Sequence, residues 1–123
     1  MSIKLSEAEL KVMKVLWEHG DTTAKNISMI LGEKVGWNIN TTYTMIKICI
    51  KKGAVERSEP NFMCHALVTA DEVRTSELNE IFSNLCDNSQ DLFFAALVNS
   101  KAIDEKHMRE LREWIMNYDP DKK

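Results

Sequence analysis

Trp37-Asn38-Ile39-Asn40-Thr41-Thr42-Tyr43-Thr44-Met45-Ile46-Lys47-Ile48-Cys49-Ile50-Lys51-Lys52-Gly53, running into Ala54 to Ser58, Glu59-Pro60-Asn61 and Phe62 to Val68, is the stretch that decides the fold. Asn38 is a good helix N-cap, and Thr42, Met45, Ile46 and Cys49 fall on one face at helical spacing. Gly53 is placed to follow the helix as its C′ residue. Two short extended runs then flank a turn-forming tripeptide, which predicts a small antiparallel hairpin. A helix feeding directly into a hairpin is the second half of a winged helix-turn-helix.

The first half lies upstream. Leu5-Ser6-Glu7-Ala8-Glu9-Leu10 combines a Ser6/Glu9 capping box with a Leu5/Leu10 hydrophobic staple. Ala8, Val12, Val15 and Leu16 continue that helix until Gly20. Thr22 or Thr23 caps a second, short helix whose Ala24, Ile27, Ile30 and Leu31 form a stripe, and Gly32 and Gly36 are expected to bracket a loop. Downstream, Thr69 to Glu72 is a second capping box, opening a long helix with Val73, Leu78, Ile81, Phe82 and Leu85. Asn88 or Ser89 starts a further helix carrying Leu92 to Val98. Asp104 caps the last, with Met108, Leu111, Ile115 and Tyr118 along one seam. The expected fold is mainly α with a small β-hairpin: a winged helix-turn-helix DNA-binding domain over residues 1–68 and a helical dimerisation region over residues 69–123. In such a domain the third helix enters the DNA major groove and the hairpin touches the backbone.

The 123 residues suit one domain of ordinary size, and 10 Ile, 10 Leu and 7 Val exclude a disordered chain. The longest apolar run, Leu92 to Val98, is far short of the roughly 20 residues of a membrane span, and no secretory leader precedes Ser6. Cys49, Cys64 and Cys86 are scattered and odd in number, so they read as free thiols in a reducing cytoplasm. His19, His65 and His107 are equally dispersed, and Cys64 and His65 would point to opposite faces of a strand, so no metal site is expected. No cofactor loop or enzyme signature occurs. Net charge is −3 but unevenly spread: residues 1–68 carry nine Lys/Arg against seven Asp/Glu, and residues 69–123 carry seven against twelve. A mildly basic front and an acidic back fit a nucleic-acid partner for the front alone.

Trp37-Asn38-Ile39-Asn40-Thr41-Thr42-Tyr43-Thr44 with Lys51-Lys52-Gly53 resembles the W-S-x-x-T-[VI]-x-T…K-[KR]-G signature of the penicillinase and methicillin-resistance repressors, the BlaI/MecI/CopY family. Leu5-Ser6-Glu7-Ala8-Glu9 with Val12-Met13 and Leu16-Trp17 resembles that family's opening motif, and the likeness extends to Glu110-Leu111-Arg112. It implies a transcriptional repressor, not an enzyme, that binds a palindromic operator as a homodimer through its carboxy-terminal helices. The candidate DNA-binding residues are Asn38, Asn40, Thr41, Tyr43, Thr44, Lys47, Lys51 and Lys52. Thr41 and Thr44 suit phosphate or base contacts, Tyr43 a base or sugar, and the lysines the backbone. Lys51 and Lys52 also suit a helix C-terminus on dipole grounds alone.

Three departures from the family pattern carry consequences. The outward positions of the third helix read Asn40, Tyr43, Lys47 and Ile48, with a single cation. The wing reads Ser58-Glu59-Pro60-Asn61-Phe62, with no Lys or Arg. DNA affinity rests largely on neutralised phosphates, so weaker binding or a different operator is expected. The copper branch's CxC…CxC tail is absent. A winged-helix protein–protein adaptor with weak or lost DNA binding is the alternative that the acidic wing favours.

Leu92 to Val98 is apolar on every side of a helix, whereas a helix on a monomer's surface needs a wet face. Phe82, Leu85, Leu92, Phe93, Phe94, Leu97, Met108, Leu111 and Ile115 together exceed what about 55 residues can bury within themselves, and a second copy would cover them. A regulatory protease is a further candidate partner, because relatives in the β-lactam branch are inactivated by cleavage at an Asn-Phe bond in this helix. That bond aligns near Ala96-Leu97, where no Asn-Phe occurs. The chain's only Asn-Phe is Asn61-Phe62 in the wing, so a different signal or protease is expected.

Overall fold

A computed structural model of the chain describes residues 3–118. The elements follow in the order α1 (Glu7–His19), β1 (Thr22–Thr23), α2 (Ala24–Val35), α3 (Ile39–Lys51), β2 (Val55–Ser58), β3 (Met63–Ala66), α4 (Ala70–Asn84), α5 (Gln90–Asn99) and α6 (Glu105–Met116). This is a mainly α chain with a small sheet, as the sequence predicts. It divides into two compact units, Met1–Asn79 and Glu80–Lys123.

Local chemistry sets most of the boundaries. In α1 the Ser6 hydroxyl accepts from Glu9 N at 3.2 Å while Glu9 Oε1 accepts from Ser6 N at 3.0 Å, satisfying two amides that the first turn leaves without helical partners. Thr23, Asn38, Ser89 and Asp104 cap α2, α3, α5 and α6 more simply, each side chain accepting from the backbone N–H three residues on. Thr69 and Glu72 form the second capping box, at 2.9 and 3.0 Å. Gly36 ends α2 in the left-handed conformation that a Cβ disfavours. Gly32, expected at a loop edge, instead lies inside α2, because its φ is ordinary and the helix runs on to Val35. Tyr118, expected on the α6 seam, lies beyond the end of α6.

The sheet has three strands, not two. β3 is central, with β2 and β1 antiparallel on either side. Val55 to Ser58 pair with Ala66 to Met63, and Thr22 and Thr23 pair with Cys64 and Met63. Thr22 therefore belongs to a strand, and Thr23 is both the last strand residue and the cap of α2. The β2–β3 turn has a cis Glu59–Pro60 peptide, with Asn61 and Phe62 at φ of 73° and 54°.

One core underlies α1, α2, α3 and the sheet. Val12, Met13, Ala24, Ile27, Ile46, Cys49, Ala54 and Cys64 are fully enclosed, and Val73 of the first turns of α4 joins them. Each large aliphatic here contributes roughly 1.5–3 kcal/mol of burial. The Trp17 indole N–H donates to the Val68 carbonyl at 2.9 Å and ties α1 to the chain leaving β3. In α5 and α6 the picture inverts: none of their residues is buried. Phe93 meets Phe82 edge-on at 5.7 Å, but Leu85, Leu92, Phe94, Val98 and Ile115 stand exposed.

Candidate nucleic-acid interface

α3 is positioned by its inner face. Thr42, Ile46 and Cys49 are buried and Met45 packs against them, so the opposite face is forced outward. Thr42 would be a costly buried hydroxyl, but its Oγ1 donates back to the Asn38 carbonyl at 3.2 Å. Trp37, just ahead of the cap, is half-buried against the same core.

The outward face consists of Asn40, Thr44, Lys47 and Lys51, all exposed and spaced four, three and four residues apart, which makes a single ridge along the helix. Thr41 and Tyr43 flank it half-buried. Ile48, expected on this face, is also half-buried, and Tyr43 is turned toward the sheet. The helix is thus rotated so that Thr44 and Lys51 take the outermost places. The rotation follows from enclosing Thr42, Ile46 and Cys49 together.

Apart from the half-buried flanking pair Thr41 and Tyr43, the other six candidate residues separate into three groups. Asn40, Thr44, Lys47 and Lys51 point to solvent, and neither lysine has an ion-pair partner among the described residues. Asn38 is committed to the cap, its Oδ1 accepting from Thr41 N at 2.7 Å. Lys52 turns away from the ridge: its Nζ pairs with Glu9 at 2.5 Å and donates to the Lys4 carbonyl at 2.9 Å. Glu9 is itself buried. Burial pushes its carboxyl up, but hydrogen bonds from Lys52 and Ser6 outweigh that and hold it below the ordinary value.

Tyr43 makes the link to the wing. Its ring meets Phe62 edge-on, with centroids 5.7 Å apart, and the Arg57 guanidinium lies over the other partner ring, 3.6 Å from the Phe62 centroid. Arg57 sits in β2 one residue before the five-residue wing stretch, so inspection of that stretch alone misses it. Its distinguishing signal is simple: it is the only Lys or Arg between Gly53 and Thr69. Arg57 shares a strand face with buried Val55, the face that packs on α3. A half-buried aromatic pair thereby carries a cation beside the first turns of α3.

Burial pushes the Cys49 thiol up to about 12, with the Glu9 charge adding to it, and burial takes Cys64 to about 11. Such thiols stay protonated and unreactive at neutral pH. His65 faces solvent, away from buried Cys64, and pairs with Asp21 at 2.8 Å. No helix among the described residues is long and apolar enough to cross a membrane.

Known proteins share this arrangement. The DNA-binding domain of the repressor BlaI, solved in solution, superposes on 57% of the chain and 88% of its own length with a TM-score of 0.53 and 29% identity. The Bacillus licheniformis BlaI monomeric form, solved in complex with the blaP half-operator, covers 58% of this chain and 90% of that one with a TM-score of 0.50 and 30% identity. In sequence, the penicillinase repressor of Bacillus licheniformis is 38% identical over 52 residues, 42% of this chain and 41% of that protein. The methicillin resistance regulatory protein MecI of Staphylococcus aureus is 23% identical over 116 residues, 93% of this chain and 94% of that protein. Residues 5–117 match the family described as Penicillinase repressor, whose members are transcriptional repressors and not enzymes. By its capped three-helix core, its wing and a match along almost its whole length, the chain belongs to the penicillinase repressor family.

Proposed function

We propose that this protein is a cytoplasmic transcriptional repressor that binds double-stranded DNA as a homodimer on a palindromic operator. Residues 1–68 would bind the operator and residues 69–123 would form the dimer. The observation that carries the reading is the α3 ridge of Asn40, Thr44, Lys47 and Lys51, polar, unobstructed and backed by a buried face. A helix of this width fits the major groove of B-DNA, with its first turns near base edges and its later lysines near phosphates. In this reading Asn40, Thr41, Tyr43 and Thr44 read or approach bases. Lys47 and Lys51 neutralise phosphates. Asn38 and Lys52 support α3 from its two ends. The BlaI complex with its half-operator supports the same use of the related domain.

The dimer is supported by the apolar surface that α5 and α6 leave in solvent, including Val98 at 60% and Ile115 at 63% exposure. Met108, Leu111, Ile115 and Met116 line a groove on α6 alone, a surface that isologous pairing of two copies would cover. Repression would be steric, and the absence of Asn-Phe from α5 argues for induction by another signal or protease than the one acting on β-lactam-branch relatives.

A mobility shift against duplexes from the gene's own upstream region, repeated across salt concentrations, tests this. The expected result is a discrete complex on one palindromic segment, weakening as salt rises. Binding that ignores both sequence and salt, or none, would favour the adaptor.

A further inference from the structure

The wing cation is not free. Arg57 Nε donates to Glu59 Oε2 at 2.5 Å, while its flat face rests on Phe62. Its two Nη groups have no hydrogen-bond partner among the described residues. A guanidinium stacked on a ring presents its donors only at its edge, and Glu59 occupies the Nε end of that edge, which a phosphate needs for a bidentate Nε/Nη grip. Glu59 is two residues from Arg57 and exposed, and its carboxylate also accepts from the Phe62 backbone N–H, so it can release Arg57 while staying anchored in the turn. The pairing also holds the Glu59 carboxyl below its ordinary range, through the Arg57 hydrogen bond first, and keeps it anionic.

We propose that Glu59 is a built-in competitor of DNA phosphate for Arg57, masking the wing's charge in the free protein and yielding it on the duplex. Phe62 and Tyr43 hold the guanidinium beside α3, so the exchange happens at the edge of the α3 ridge. The proposal rests on the DNA-binding reading and adds a residue that lowers affinity. It has a thermodynamic signature. When Arg57 leaves Glu59 for a phosphate, the freed Glu59 charge stays beside the duplex and offsets the phosphate that Arg57 neutralises, so the wing adds almost nothing to the salt dependence. Without the Glu59 charge the release stands uncompensated.

The test measures binding to a mixed-sequence duplex, longer than two half-sites, by fluorescence anisotropy over a range of salt. Glu59→Gln should bind about two- to five-fold tighter, the scale of an exposed ion pair, and steepen the slope of log K against log salt by about one unit per wing. In an Arg57→Gln background the same substitution should give neither gain, because the competitor has nothing to compete for. Glu56→Gln removes an equal charge next to Arg57 in the chain but on the opposite face of β2, and should leave the slope unchanged. A parent that binds with a Glu59→Gln variant indistinguishable from it, or a gain that persists without Arg57, overturns this proposal alone. Failure of both parent and variant to bind any duplex overturns it together with the DNA-binding reading.

Discussion

Tyr43 has two duties that substitutions can separate. Its ring supports Phe62, and the residue flanks the α3 ridge half-buried. Tyr43→Phe should keep the wing in place, with thermal stability close to the parent, and alter preference among operator sequences if the hydroxyl meets a base. Tyr43→Ala should do both, costing about 0.5–1.5 kcal/mol of stability for the lost ring pair and about 1–3 kcal/mol of discrimination. Chemical denaturation and competitive binding with mutated duplexes read the two effects. At the other end of α3, Lys52 exists for Glu9. Lys52→Ala leaves a buried carboxylate with half its partners, and urea unfolding should show a loss of about 1–3 kcal/mol. The pH dependence follows from the lowered folded-state value of Glu9. Its contribution is fully present above the ordinary value of 4.5 and is lost as pH falls through the folded value. Glu9→Gln should therefore flatten the acid limb of the stability profile below about pH 4.5.

As an element, α3 is amphipathic in an unusual sense, since its wet side is largely uncharged in its first two turns and basic only in its last. That gradient predicts which substitutions affect specificity and which affect salt. Lys51→Ala should weaken binding to all duplexes alike and reduce the salt slope by roughly one unit per protomer, leaving the ranking of operators intact. The wing, as an element, is short and almost neutral. One cation, held by one acid, replaces the basic hairpin expected of a relative. α6 is the converse case, a strongly two-sided helix whose apolar side runs from half-buried Met108 and Leu111 to exposed Ile115 and Met116.

For the whole molecule, that uncovered surface is the main energetic imbalance. Several large side chains in water on α5 and α6 give up burial worth about 25 cal/mol per Å², and a second copy is the simplest way to recover it. Leu111→Glu combined with Ile115→Glu should place charges in that groove and convert a dimer to a monomer in sedimentation at micromolar protein. Operator affinity should fall with it, because two α3 ridges would no longer be presented on one duplex. A parent that sediments as a monomer would remove the basis for the palindrome as well.

Much of this architecture was written locally. Capping boxes at Ser6/Glu9 and Thr69/Glu72, caps at Asn38 and Asp104, the left-handed Gly36 and the Glu59-Pro60-Asn61 turn involve residues within a few positions of each other, so chain entropy costs little and the signals are legible in order. The inner face of α3 was equally readable, and with it the outward placing of Asn40 and Lys47, though not of Tyr43 and Ile48. Tertiary structure decided what depends on distant partners. Thr22–Thr23 is too short to look like a strand and becomes one only because β3 offers an open edge some 40 residues later. Packing rotated α3 to half-bury Ile48 and Tyr43, drew Lys52 onto Glu9, and brought Arg57, Phe62 and Tyr43 into one stack. Sequence spacing cannot reveal such contacts, because side-chain direction across an interface is fixed by the neighbouring element's shape and not by the chain's own period.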